Sequence, residues 1–380
     1  MQVFKGHSGA EDAAQAVREA TTGWELKGAK IDLLLVFCST KQNAGAAARA
    51  LAQRFPGVPM IGCTTSGEML DDQHFNGHMV VSGIVSPKIR WAVTAIEDIK
   101  TMSEKKAAAA SDALLSTLKV DRASLNPERH FCLTFIDGLS AKEESVSSMM
   151  ADALDGVPLL GGSAGDDLKF KSTEVIINGR ALTNAAVFAF GESSQRFEII
   201  KHQHFVTTPR SLVITKADAA QRRVYEIDGL PALEAYARAL GLKSSEVTGD
   251  VSFMNPILFL CNNEIYVRSI QRIETDGSIV FYCAVEEGMV LDIGGHESMA
   301  TTLERDITTL KKSLKETELF IACNCILRAL EAGQSNQHQT LGKILLELTP
   351  NVVGFDTYGE QLGGLHINQT LVGIAFKRAA

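Results

Sequence analysis

The chain has no apolar run of 18 or more residues, so no membrane-spanning helix is expected. Its first residues, MQVFKGHSGAEDAAQAV, lack the charged-then-apolar profile of a secretory leader. Blocks of lysine or arginine are absent, and 45 acidic against 37 basic residues leave a net charge of -8. That balance argues against a nucleic-acid footprint or a polybasic membrane anchor. Seven cysteines, an odd number set mostly inside apolar runs, give no disulfide framework. Reduced thiols in a cytoplasmic protein are the expectation. Signatures of catalysis and nucleotide binding are missing as well. There is no GxSxG elbow, no HExxH, no Gly-Lys-Ser/Thr loop ending and no dinucleotide fingerprint.

What is present is a repeated string. GCTTSGE runs from Gly62 to Glu68, and GFDTYGE runs from Gly354 to Glu360, 292 residues later. Gly62/Gly354, Thr65/Thr357, Gly67/Gly359 and Glu68/Glu360 fall at matching places. A third, weaker version, GGSAGDD, spans Gly161 to Asp167. Two glycine-valine-proline anchors, 57–59 and 156–158, precede the first and second copies at a constant offset of 99. An internal duplication follows.

The surrounding pattern gives each copy the same plan. Residues 31–37 read as a buried strand, 41–54 as a helix and 58–62 as a strand entering the first loop. Residues 79–85 and 89–96 read as a hairpin turned by Ser-Pro-Lys, with a helix at about 103–118. The order recurs with a strand at 130–136, a helix at 141–155, and strands at 157–161, 173–177, 185–190 and 197–205. It recurs again with a strand at 318–324, an interrupted helix at 326–348, and strands at 351–355 and 366–376. Between the second and third units the character changes. Residues 211–217 and 223–228 read as a hairpin, and 231–240 as a helix with Pro231 in its first turn. Strands follow at 256–262, 264–270 and 278–285, turned at Asp276-Gly277, and then a helix over 303–316. The expected class is mixed α/β: two packed α/β domains, 1–222 and 223–380, built from repeated β-α-β-loop-β units.

A loop at the carboxyl end of a strand is where open α/β sheets place ligands. Thr65, Glu68, Thr357 and Glu360 are therefore candidate ligand-binding residues, offering hydroxyls and carboxylates. Their alternative role is a glycine turn needed only for folding. Cys63 is a candidate nucleophile, with His74 or His78 as its base; its alternative role is a small buried residue. Cys323-Asn324-Cys325 has no second pair to complete a zinc site. Of nine histidines, His202 and His204 stand two apart, which on one strand puts both rings on one face. His366 opens the final strand beside the third loop, and His78 holds the comparable place after the first.

GCTTSGEM and GGSAGDD resemble the amino-terminal half of a FIST sensory domain, and GFDTYGEQLGGLHINQT resembles the end of its carboxyl-terminal half. The resemblance runs from about residue 30 onward. It implies a non-catalytic sensor of small ligands, with amino acids among the suggested ones. QHFVTTPRSLVITKAD, VYEIDGLPALEAYARALGL, VSFMNPILFLCNNEIYVRSIQRI, DGSIVFYCAVEEGMVL and HINQT are more similar to the NosP group. That similarity implies haem b as cofactor and nitric oxide as ligand. It also implies signalling to a partner histidine kinase or cyclic-di-GMP enzyme, and leaves room for a homo-oligomer. Under it, His204 is the first choice of iron ligand, then His366 and His202, with Cys283 and Tyr282 behind. Two other functions stay open: a FIST sensor of a small polar metabolite without haem, and a thiol enzyme using Cys63.

Overall fold

A computed structural model of the chain describes residues 1–261 and 264–378. It divides into two compact units, neither of them one continuous stretch. The first holds Met1–His202, Glu304–His366 and the chain from Leu371; the second holds Gln203–Leu303 and Ile367–Thr370.

The first unit is a triplication. In the first repeat the order is strand Gln2–Ser8, helix Ala13–Ala20, strand Leu33–Ser39, helix Ala44–Arg54 and strand Met60–Thr65. A small hairpin (Glu68–Leu70 and Gln73–Phe75) and a closing strand, Met79–Val85, complete it. The second repeat runs Ile89–Glu97, helix Glu104–Leu118, His130–Ile136, helix Glu143–Ala153 and Leu159–Ser163. Its hairpin is Val175–Ile177 and Arg180–Leu182, and its closing strand is Ala185–Ser193. The third opens with Phe197–His202 and resumes after residues 203–298 with helix Met299–Leu314. Strand Thr317–Cys325, helices Ile326–Gln334 and His338–Leu346, and strand Val352–Thr357 follow. Glu360–Leu362 and Leu365–Ile367 form the hairpin, and Leu371–Lys377 closes the unit.

Each repeat builds one six-stranded sheet, but not alone. At the centre lies a parallel pair: Leu35↔Ile61, Leu133↔Leu160 and Ile321↔Val353 are partners in the three sheets. Central strands buried on both faces read as continuous apolar runs, which is why these were legible. The outer place beside each pair is filled by another repeat's hairpin. The second repeat's hairpin pairs with the first sheet (Ile176↔Gly62), the third's with the second (Gln361↔Gly161), and the first's with the third (Met69↔Gly354). The exchange is cyclic, so no repeat completes its sheet without the others. Phe37, Phe135 and Phe355, one from each sheet, meet pairwise at 5.4, 4.6 and 5.4 Å between ring centroids. Helices cover the other faces, for example through Ala47, Leu51, Leu34 and Val36 in the first repeat.

The second unit is an antiparallel sheet, including Phe205–Asp218, Arg223–Ile227, Ile257–Cys261 and Val290–His296. Leu212, Ile214, Ile257, Leu291 and Ile293 pack on one face with Tyr236 of helix Ala232–Leu240. That helix starts after Pro231 and ends at Gly241 in the left-handed region (φ 74°), as its sequence signals require. Gly277 (φ 78°) makes the turn expected at Asp276-Gly277. Of the strand expected over 256–262, Asn262 lies outside the described residues, as does the side chain of Cys261.

Four local expectations are corrected. Residues 79–85 and 89–96 are strands but not a hairpin: Met79–Val85 belongs to the first sheet, and Ile89–Glu97 pairs with Ala185–Ser193 in the second. Ser86-Pro87-Lys88 is the passage between repeats, not a turn within one. Residues 197–205 are not one strand, because pairing stops at His202 and resumes at Phe205. The final strand is interrupted at Asn368-Gln369-Thr370. A strand and a helix also occupy residues 2–20, where no element was expected.

Candidate ligand site where three glycine loops converge

The repeated string forms the meeting point of the three repeats. Its first glycine has a packing cause. A Cβ at Gly62, Gly161 or Gly354 would overlap the carbonyl oxygen of Val36, Thr134 or Ala322 on the parallel neighbour. After the strand, each loop hydrogen-bonds to the next around a ring. Backbone N–H groups of Ser66, Gly165 and Tyr358 hold the same place in their loops. They donate to the carbonyls of Asp356 (3.1 Å), Thr64 (2.9 Å) and Ser163 (3.1 Å), which also hold matching places. These are the carboxyl ends of three parallel strand pairs, where α/β sheets gather ligands.

Thr65, Glu68, Thr357 and Glu360 all lie on this ring and are fully buried. Thr65 Oγ1 donates to Glu68 Oε1 at 2.5 Å, and the His78 N–H donates to Glu68 Oε2 at 2.9 Å. Thr357 donates to Glu360 in the same way, and accepts from the Gly359 N–H at 3.0 Å. Burial pushes the Glu68 carboxyl up to about 8; the Thr65 and His78 bonds hold it down, while Asp167 and Asp356 add to the rise. In the second copy Ala164 replaces the threonine. Asp167 there accepts from Ser39 Oγ (3.0 Å), Thr40 Oγ1 (2.7 Å) and Lys169 Nζ (3.2 Å).

Besides Ala164, the ring departs from three-fold likeness at another buried position. Thr64 and Ser163 offer a hydroxyl where the third copy has Asp356. Its carboxylate accepts from His74 Nε2 at 2.5 Å and from Asn324 Nδ2 at 2.7 Å. Asn324 Oδ1 in turn accepts from Arg328 Nε at 3.1 Å. Arg328 is buried, which pulls its guanidinium down to about 10 against Glu331, Glu360, Cys325 and Asp356. The His74 ring stacks on His338 with centroids 4.0 Å apart. Burial works against a charge on His74, but the charge and hydrogen bond of Asp356 outweigh it and hold its pKa above the ordinary value. His338 is lowered, by burial and then by His74. His74 and His338 carry this chain of charges from Arg328 toward the surface, since Asp356 is fully buried while His74 is 12% exposed. A hydroxyl stands at this place in the other two copies, and only in the third does a carboxylate tie His74 to Asn324.

Sequence reasoning placed His74 only as a base for Cys63 and missed Asp356, Asn324, Arg328 and His338. A signal existed: one aspartate standing where the other copies carry serine or threonine. Cys63 is fully buried, and burial, then Cys323, Cys38 and Glu68, raise its thiol well above the ordinary range. A nucleophilic thiolate needs the reverse. The expected histidines are dispersed. His202 ends its strand opposite Leu371. His204 follows in the break, its ring 4.3 Å from that of Phe205, so the alternation that would align the two rings is lost. His366 is buried, with Nδ1 3.1 Å from Gln361 Nε2; the orientation of that amide fixes which ring nitrogen carries the proton. No histidine lines the three clefts described for this unit. Among the described residues, no three of His, Cys, Asp and Glu gather as a metal site, and no helix is long and apolar enough to cross a membrane.

The triplicated α/β unit with its buried polar ring is interrupted in sequence by an antiparallel unit. The FIST N domain model matches residues 32–230 and the FIST C domain model matches residues 232–362. The chain belongs to the FIST family, whose modules are sensory and non-catalytic. Sequence comparison finds an uncharacterized protein of Methanocaldococcus jannaschii, 22% identical over 369 residues, covering 86% of this chain and 69% of that one. Among solved structures, phosphoribosylformylglycinamidine synthase II of Thermotoga maritima aligns over 98% of this chain and 71% of its own. Its identity of 10% and TM-score of 0.20 carry no argument.

Proposed function

We propose that this FIST protein senses a small polar metabolite, such as an amino acid, at the convergence of the three loops. The observation that carries this reading is Asp356. It is a buried carboxylate that the other two copies lack, in a polar and charged chain with Asn324, Arg328 and His74. Buried charges in such chains are costly and are kept where they serve recognition or switching. Carboxylates and a guanidinium side by side suit a ligand with both an ammonium and a carboxylate. Glu68 adds to this: its carboxyl is held up to about 8 by burial, and a ligand ammonium beside it would favour the charged form. Binding shifts a two-state equilibrium that a partner protein reads, a histidine kinase or cyclic-di-GMP enzyme by resemblance.

The test is calorimetric titration of the full chain with a panel of amino acids, repeated on Asp356→Thr, which restores the hydroxyl of the other copies. The reading expects binding that the substitution abolishes. A panel without a ligand, or one in which no ligand responds to the substitution, rejects it. Haem with nitric oxide as ligand is the second reading. It rests on the NosP-like segments and on three buried imidazoles, those of His204, His366 and His202. A Soret band at one equivalent of haem, altered in His204→Ala or His366→Ala, would favour it.

A further inference from the structure

The duplicated repeats carry one cleft at two very different sizes. In the first repeat it is lined by Lys30, Asp32, Pro59 and the passage 86–91, and holds about 310 Å³. In the second it is lined by Arg129, Pro158 and residues 193–199, and holds about 880 Å³. Lys30 and Arg129, and Pro59 and Pro158, stand 99 residues apart, the offset of the duplication. Both clefts therefore occupy the same place in the repeat, at the amino-terminal end of the parallel pair beside the passage to the next repeat. The fold needs no more than the small one, so the enlargement calls for a separate cause.

The local chemistry differs as well. In the small cleft the Asp32 carboxylate latches the passage by accepting from the Ser86 N–H at 2.7 Å. Ninety-nine residues on, the position is Phe131, which packs edge-on against Trp91 and Phe197 at 5.2 and 4.9 Å; the carboxylate latch is replaced by the Ser193 N–H donating to the Arg129 carbonyl at 2.7 Å. Gln195, in the passage of the large cleft, is buried. Its amide nitrogen donates to the Lys377 carbonyl, which fixes the orientation of the carboxamide. Its oxygen is left buried with no hydrogen-bond partner. A buried acceptor without a donor is costly, and a ligand N–H or O–H would satisfy it. Arg196 is committed to Glu198 (2.6 Å) and Ser313 (2.8 Å). Arg129 is not so committed: its guanidinium is 57% exposed, with Glu192 at 3.5 Å.

We propose that this enlarged cleft is a second binding site, for a small carboxylate with an amino or hydroxyl donor on the neighbouring carbon. Arg129 takes the carboxylate as a charge-assisted pair, and Gln195 accepts from the donor. The volume falls within the range of small-molecule pockets. The site lies at the opposite ends of the strands from the loop ring and does not depend on the ring's ligand.

Titration of the full chain with L-lactate, L-serine and acetate tests it. Lactate or serine binds, and acetate, which lacks the donor, binds at least about tenfold more weakly. Arg129→Ala and Arg129→Glu, at an exposed position, weaken binding by about tenfold or more, whereas Lys30→Ala in the small cleft leaves it unchanged. Gln195→Leu removes the preference over acetate. No binding by any of the three probes overturns the proposal, as does affinity unaltered in both Arg129 variants. A loss confined to Asp356→Thr assigns the ligand to the loop ring and overturns the cleft, while leaving the reading of the ring intact.

Discussion

Glu68→Gln should stabilise the protein at alkaline pH and leave it unchanged near pH 4.5. The Glu68 carboxyl is fully buried and held up to about 8, against 4.5 when solvated. Between these values the folded chain keeps a proton that the unfolded chain has released. Stability from this group is therefore whole below pH 4.5 and is lost as pH rises through the folded value. A gap of that size corresponds to roughly 3–5 kcal/mol by pH 9, at about 1.4 kcal/mol per pH unit. Glutamine stands in for the protonated acid. Its oxygen accepts from the His78 N–H, and its amide nitrogen donates to Thr65 Oγ1, which accepts in its turn. The assay is the difference in melting temperature between Glu68→Gln and wild type from pH 5 to pH 9. It should grow from near zero to about 5 °C, given the entropy of unfolding of a chain this long. A difference that stays flat with pH, or wild type gaining on the variant as pH rises, refutes the reasoning.

Three further outcomes follow from the same geometry. Gly161→Ala drives a Cβ into the Thr134 carbonyl and should cost about 3 kcal/mol or more in denaturant unfolding, whereas Gly249→Ala, with open space around it, should cost under about 1 kcal/mol. Equal losses would remove the packing cause of the repeated glycine. In Asp356→Asn the His74 pKa, followed by its ring-proton chemical shift, should fall below that of wild type, because the charge that raises it is gone. In wild type the His74–Asp356 pair is at full strength below about pH 6.5 and weakens as pH rises through the raised value; an unmoved titration would show that the pair is not formed. Cys63 should react with a thiol reagent at least about a hundredfold more slowly in the native chain than after unfolding, since its burial suppresses the thiolate. Native labelling at the unfolded rate would reopen a role for Cys63 as a nucleophile.

The fold was legible where the chain repeats itself. Gly62, Gly161 and Gly354 mark three strand ends because each meets a neighbour's carbonyl, a demand only glycine meets. Runs such as 130–136 are buried on both faces and read as strands to the residue. The cyclic exchange of hairpins was not legible, because three equivalent sheets offer each hairpin a similar edge and no local pattern tells them apart. The passage at Ser86-Pro87-Lys88 looks like a turn for the same reason. At the site, the repeated string marks the ring but not the charged chain at Asp356. Thr65 with Glu68, and Thr357 with Glu360, are tied to one another within their loops, a pairing that the second copy, with Ala164, lacks. Asp356 is informative because it does not repeat, and its partners Asn324, Arg328 and His74 come from elements distant in sequence.

The measurement closest to the central claim is amino-acid titration of the full chain beside Asp356→Thr, with the heat of binding as the readout. At least one amino acid should bind wild type and lose that binding in the variant, whatever binds at the Arg129 cleft, with both proteins equally folded by circular dichroism. Equal binding of every amino acid to the two proteins, or none by any amino acid to wild type, contradicts the ring as the site.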